Sequence, residues 1–290
     1  MFDGYLESLR KLYSKVEEID RNISIDRESE LIKVIKDKLE LPTLSFFRLY
    51  PSFERLTINR SVPPFDNSRI ERIRYLLNPP SRYIKKLGRA NLRHQSIFYA
   101  TFLPPTAVNE LKPEPGDLFT ISKWKLIDRD TQLHVYPIFE KQKTDLYKKL
   151  KSAGIVEHDE GVELSILYED VLSDKSDMEK NMIYGIQEFI SKCFSLEVND
   201  KNTSRYLFTA AITDKILHQN FNGAIEAITY PSIHDSTGVK NIAIKPHILH
   251  QKYRLDSVRE YELVANPNGE PASYRNSCTS KFIGGNIIWE

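Results

Sequence analysis

Two stretches of the chain bring together side chains able to do chemistry. In "GRANLRHQSIFYATFLPPTAVNEL", Gly88 to Leu111, the residues Arg89, Tyr99 and Glu110 stand around an apolar core, "IFYATF". A charged group beside a buried strand is costly unless something pairs with it. In "AITYPSIHDSTGVKNIAI" a strand runs into a Tyr-Pro-Ser turn that projects Ser232 from the strand end. Taken alone, Ser232 reads as structural, because a turn hydroxyl readily bonds local backbone. A cationic run adds Arg69, Arg72, Arg74, Arg82, Lys85, Lys86 and Arg93 to Arg89, with Glu71 the only acid between Ser68 and His94. Such a run is either a solvated face or a surface that gathers phosphates. His247 and His250 have metal-like spacing, but no third ligand stands nearby. The chain carries no G-x-G-x-x-G, Walker A loop, G-x-S-x-G, H-E-x-x-H or paired C-x-x-C.

Helices and strands must hold these residues. Phe2, Tyr5, Leu6, Leu9, Leu12, Tyr13, Val16 and Ile19 fall on one helix face. A second amphipathic helix runs from about Arg27 to Leu39, ended by Pro42. Residues 1–42 therefore read as a helical arm, and 43–290 as the main domain. The arm's apolar stripe must be buried, either on its own domain or in an oligomer. "TLSFFRLY" is strand-like, "SVPPFDN" is a loop, and a helix is expected around Asn67–Leu77. "SIFYATF" is a strand and "LPPTAVNEL" starts a helix with Pro in its first turn. "DLFTISKWKL" and "LHVYPIF" follow as strands. A helical insertion spans about 140–217, with a stripe of Met182, Ile183, Ile186, Phe189, Ile190 and Phe194 and a further helix around Tyr206 to Leu217. Strands return at "AIEAITYPS", "VKNIAIKP", "EYELVA" and "KFIGGNIIWE". Without a regular βαβα alternation, the fold class is α+β.

Composition sets the outer bounds. The 290 residues are 40% hydrophobic and 28% charged, an ordinary globular balance. A net charge of +1 argues against wholesale nucleic-acid binding and leaves room for a local anion site. Cys193 and Cys278 make no disulfide framework, so a reducing, cytoplasmic compartment is expected. No run of about 18 apolar residues exists, and "MFDGYLESLRKLYSK" lacks the apolar core of a signal peptide. Neither a membrane span nor a membrane partner is expected.

"FFRLY", "GRAN…SIFYA…TAVNEL" and "AITYPSI…GVKNIAI" resemble, in order and character, successive motifs of the RES domain, named for its Arg, Glu and Ser. The resemblance covers about Leu44 to Leu263. It implies a mixed β core like that of ADP-ribosyltransferases, here with the N-terminal arm and the helical insertion added. It implies an NAD⁺-degrading toxin of a toxin–antitoxin pair, with an antitoxin protein as partner and no cofactor beyond NAD⁺ as substrate. By position, Arg48 matches the first family Arg, Arg89 the second, Tyr99 the Tyr ending the strand, Glu110 the helix Glu, and Ser232 the late Ser. The stretch between Arg48 and Arg89 is long, so Arg55 and Arg60 rival Arg48.

On this resemblance Glu110 and Ser232 are catalytic, and Arg48, Arg89 and Tyr99 bind the dinucleotide. Cleaving the nicotinamide N-glycosidic bond passes through an oxocarbenium-like state, which a carboxylate stabilises. Guanidinium groups grip pyrophosphate oxygens in bidentate fashion. Tyr99 offers a flat face for nicotinamide, and Ser232 a bond to the ribose or the amide. ADP-ribosyl transfer to a macromolecule, and a non-catalytic module binding a nucleotide or a partner, are the alternatives.

Overall fold

A computed structural model describes residues 2–19, 23–42, 44–102, 104–139, 172–198, 203–232, 240–264 and 273–289. In chain order its elements are helices α1 (Phe2–Glu17) and α2 (Ile25–Lys38), strands β1 (Phe46–Arg48), β2 (Ser52–Ile58) and β3 (Phe98–Thr101), and helix α3 (Pro104–Leu111). Strands β4 (Leu118–Leu126) and β5 (Leu133–Pro137) precede helices α4 (Asp177–Ser195) and α5 (Arg205–Asp214). Strands β6 (Ala227–Pro231) and β7 (Lys240–Ile244), helix α6 (Pro246–Lys252), and strands β8 (Tyr253–Val264), β9 (Ser273–Ile283) and β10 (Asn286–Trp289) complete the chain. The protein is α+β. Among the described residues no helix is long and apolar enough to cross a membrane. The middle of the expected helical insertion, residues 140–171, lies outside the described residues.

Two compact units divide the chain. The first comprises Met1–Phe47, Ser81–Gln95 and His134–Lys240. Its α1 buries Leu6, Leu9, Leu12, Tyr13 and Val16. The Tyr13 ring meets Phe189 of α4 and Phe208 of α5 edge-on, at 6.1 and 5.2 Å between centroids. The stripe thus finds its cover within its own chain. Helix α2 opens on Ser24, whose hydroxyl accepts from the Arg27 N–H. Its buried Glu28 takes a fork from Arg93, Nε to Oε1 at 2.7 Å and Nη2 to Oε2 at 2.9 Å. That bond lifts Arg93 above the usual guanidinium range. The Lys215 ammonium closes the other end of α2 by donating to the carbonyls of Lys36 and Leu39. Helix α4 starts with a capping box, Ser176 and Glu179. Strand β5 runs parallel to β6, Val135 opposite Ala227.

The second unit comprises Arg48–Pro80, Ser96–Leu133 and Asn241–Glu290. Its strands lie in the order β7-β3-β2-β4-β8-β9-β10, every neighbouring pair antiparallel. Strand period sorts side chains onto two faces. On one, Ala107 of α3 packs against Leu56, Phe119, Ile121 and Leu263. On the other, Phe53, Phe98, Trp124 and Tyr253 form an aromatic layer. "KFIGGNIIWE" is not one strand. Gly284 (φ 56°) and Gly285 (φ 82°) supply the two left-handed residues of a tight hairpin, so Ile283 faces Asn286.

Two further differences from the sequence reading have local causes. The helix expected around Asn67–Leu77 is absent; a single 3-10 turn, Ile73–Tyr75, stands there. The backbone of this segment bonds outward instead, the Ile73 N–H to the Gly285 carbonyl and the Ile287 N–H to the Glu71 carbonyl. Asn67, with φ at 62°, is spent bridging the Leu118 N–H and the Gly116 carbonyl. The stretch "SFERLTI", which the pattern left without an element, is the central strand β2.

Candidate functional site

Register places a polar row across the α3-covered face of the second unit. Asn241 of β7 faces Thr101 of β3, Thr101 faces Glu54 of β2, Glu54 faces Lys123 of β4, and Lys123 faces Ser257 of β8. One step to the side the row gives way to Leu56 and Ile121, which α3 covers. Tyr99, two residues before Thr101, shares the face and sits opposite Ala243. Glu110, in the last turn of α3, meets the row at its β7 end, where Asn241 Nδ2 donates to Glu110 Oε1 at 3.0 Å. Two residues that lie 131 positions apart are therefore joined directly.

Glu54 is a site residue that the sequence reading did not single out. It is buried at 6% exposure, Arg259 Nη2 approaches its Oε1 at 3.4 Å, and its Oε2 has no hydrogen-bond partner. Burial pushes its carboxyl above the ordinary range, against the pull of Arg259 and Lys123. Read as a strand, "SFERLTI" has the period-two alternation of side chains that puts Glu54 and Arg55 on opposite faces.

That alternation separates the rival arginines. Arg55 lies on the aromatic face, its guanidinium 5.2 Å from the Phe98 ring centre and its Nη1 donating to the Tyr99 carbonyl at 3.1 Å. Its Nε is buried with no partner, and desolvation lowers its pKa to about 10. It is thus on the far side of the sheet from the Glu110–Asn241 pair. Arg60 is held by Glu114 and Asp117, both at 2.9 Å. Arg48, at the end of β1, is buried with its guanidinium 5.4 Å from the Tyr50 ring centre.

Arg48, Tyr99 and Glu110 belong to the second unit, and Arg89 and Ser232 to the first. Arg89 has a local task there. Its Nη1 donates to the Phe194 carbonyl and, at 3.2 Å, to the Leu196 carbonyl, and its guanidinium lies over the Tyr206 ring at 5.4 Å. It closes the C-terminal end of α4, where carbonyls lack helical partners. Ser232 follows β6 and is buried at 3% exposure. Of the five residues predicted from sequence, Tyr99 and Glu110 thus come together on one face, with Asn241 between strand and helix.

The chain matches no protein-family model and none of the curated proteins.

Proposed function

We propose that this protein is an NAD⁺-consuming enzyme of the RES type, with an ADP-ribosyltransferase-like core, that hydrolyses the bond between nicotinamide and ribose. The observation that carries the reading is the Glu110–Asn241 hydrogen bond beside the strand of Tyr99. It joins "TAVNEL" to "GVKNIAI", whose strand pairs with that of "SIFYA", so segments the resemblance picked out stand side by side.

The chemistry follows from a carboxylate oriented by an amide. Asn241 fixes one oxygen of Glu110 and so orients the carboxylate that acts at the ribose. As the C1′–N bond breaks, its electron pair leaves with neutral nicotinamide, and positive charge spreads over C1′ and the ring oxygen. A pre-set negative charge stabilises that state with no reorganisation at the moment of reaction. Water then adds to C1′ and loses its proton to Glu110. Tyr99 on the same face stacks the nicotinamide, and Arg48 of the same unit grips pyrophosphate. In a cell this activity drains NAD⁺, which is the toxin reading, and a neutralising protein partner is its corollary.

The test is release of nicotinamide and ADP-ribose from NAD⁺ by purified protein. Glu110→Gln keeps the shape and removes the charge, so NAD⁺ binding should persist while turnover falls by about 10²-fold or more. Near-normal turnover would remove Glu110 from the reaction. Absence of both binding and turnover in the wild type would overturn the reading, and label transferred to a macromolecule would replace hydrolysis by transfer.

A further inference from the structure

A second set of reactive groups stands in the first unit. The imidazole of His134, at the start of β5, lies with Nε2 2.9 Å from Ser45 Oγ and Nδ1 3.2 Å from the Ala224 carbonyl. A carbonyl only accepts, so Nδ1 carries the proton and donates. In the neutral ring Nε2 is then the acceptor, and the Ser45 hydroxyl donates to it. Nucleophile, base and orienting group stand in sequence at hydrogen-bond distance. The base is held firmly, since the His134 backbone N–H also donates to Glu226 Oε2 at 2.9 Å and its carbonyl accepts from the Glu226 N–H at 2.8 Å.

Two more observations separate this from an ordinary buried contact. Ser45 and His134 are both partly exposed. The loop that supplies the orienting carbonyl is strained: Phe221 and Asn222 both have φ at 54°, a region that non-glycine residues rarely occupy. Backbone held this way persists only where the surroundings enforce it, and such places cluster at functional sites. The same loop brings the Phe221 ring to 6.4 Å from the imidazole, while Phe47, 64% exposed, stacks on it at 4.5 Å.

We infer that Ser45 is a nucleophile activated by His134, in a second site that takes carboxylic esters with a small apolar acyl group beside Phe47 and Phe221. Ser45 Oγ attacks the carbonyl carbon and its proton passes to His134 Nε2. The bond from carbonyl carbon to leaving oxygen breaks, and the imidazolium returns the proton to the departing alkoxide. Water then releases the acyl group from Ser45 by the same path, giving the acid and free serine. A fluorophosphonate reacts likewise: a P–O bond forms, the P–F bond breaks, fluoride leaves, and the proton goes to Nε2.

The experiment uses the full chain with p-nitrophenyl butyrate as substrate and a tagged fluorophosphonate as label, with the labelled peptide mapped. Label on Ser45 is expected, with ester turnover that Ser45→Ala abolishes and His134→Gln lowers by about 10²-fold or more, the usual worth of a general base. Glu110→Gln should leave both readouts unchanged, so this site and the NAD⁺ reading fail separately. Mapping the label on the wild-type chain is a readout that does not depend on how the His134 variant folds. No label, label elsewhere, or an undiminished rate in folded His134→Gln would overturn the inference.

Discussion

At the scale of single residues, Glu54 is held at a cost. One oxygen is unpartnered, and Arg259, which approaches the other, is itself more than one-third exposed. Its carboxyl is raised by burial, so the stability it contributes is complete below the unfolded carboxylate range and is lost as pH rises through the raised value. Glu54→Gln should therefore melt close to wild type near pH 4 and above it at pH 7, in paired thermal scans; a constant offset across that range would refute the argument. The two arginines should part company. In a Glu110→Gln background, Arg48→Lys should weaken NAD⁺ about 10- to 100-fold, the cost of a lost charge-assisted fork. Arg89→Lys should instead lower stability by about 1 kcal/mol, or roughly 2–4 °C in melting temperature, because its guanidinium bonds to carbonyls at the end of α4. Calorimetric titration and melting distinguish the two. Glu110 and Tyr99 stood out in the sequence because they fall in segments that resemble an ordered series of motifs. Glu54 did not, because an acid inside a short polar-looking segment reads as surface until the register sets it opposite Thr101.

At the scale of elements, sequence periodicity recovered the long helices and most strands, since burial of one face writes itself into the spacing of apolar residues. Helix α1 is the plain case: Leu9 and Val16 are almost wholly covered, as are Ile35 and Leu39 in and beside α2. Tyr13→Ala removes a ring that touches both α4 and α5 and should cost about 3 kcal/mol or more. Removing residues 1–39 should expose the matching faces of α4 and α5 and drive aggregation, read by size-exclusion chromatography; a soluble, fully helical remainder would show the arm to be dispensable. Periodicity failed where a segment's backbone bonds to distant strands, as at 67–77. The Ile73 N–H answers to Gly285, more than two hundred positions away, and no local window contains that partner. The same limit hid β2. Its pattern of burial has both faces covered, so the alternation that marks a half-exposed strand is weak.

At the scale of the whole molecule, α+β was legible from the absence of alternating strands and helices, whereas the partition into units was not. Each unit is assembled from three separated segments, so no composition shift or linker marks a border. In the second unit β4 pairs with β2 on one side and with β8 on the other, from Leu118 opposite Glu262 to Leu126 opposite Tyr253. A chain ending at Lys240 would leave that second edge open, a template for pairing with another copy. Such a truncation should precipitate or enter oligomers, by light scattering, although every segment of the first unit is present. A soluble monomer with wild-type helical signal would contradict this. The same interleaving governs the order of events during synthesis. The ribosome delivers residues from the N-terminus, but the first unit is not complete until Lys240 has emerged and the second draws on the chain up to Glu290. Early strands β3 and β4 must wait, unpaired on one side, for β7 and β8, so any catalytic activity of this chain should arise only once those late strands have emerged.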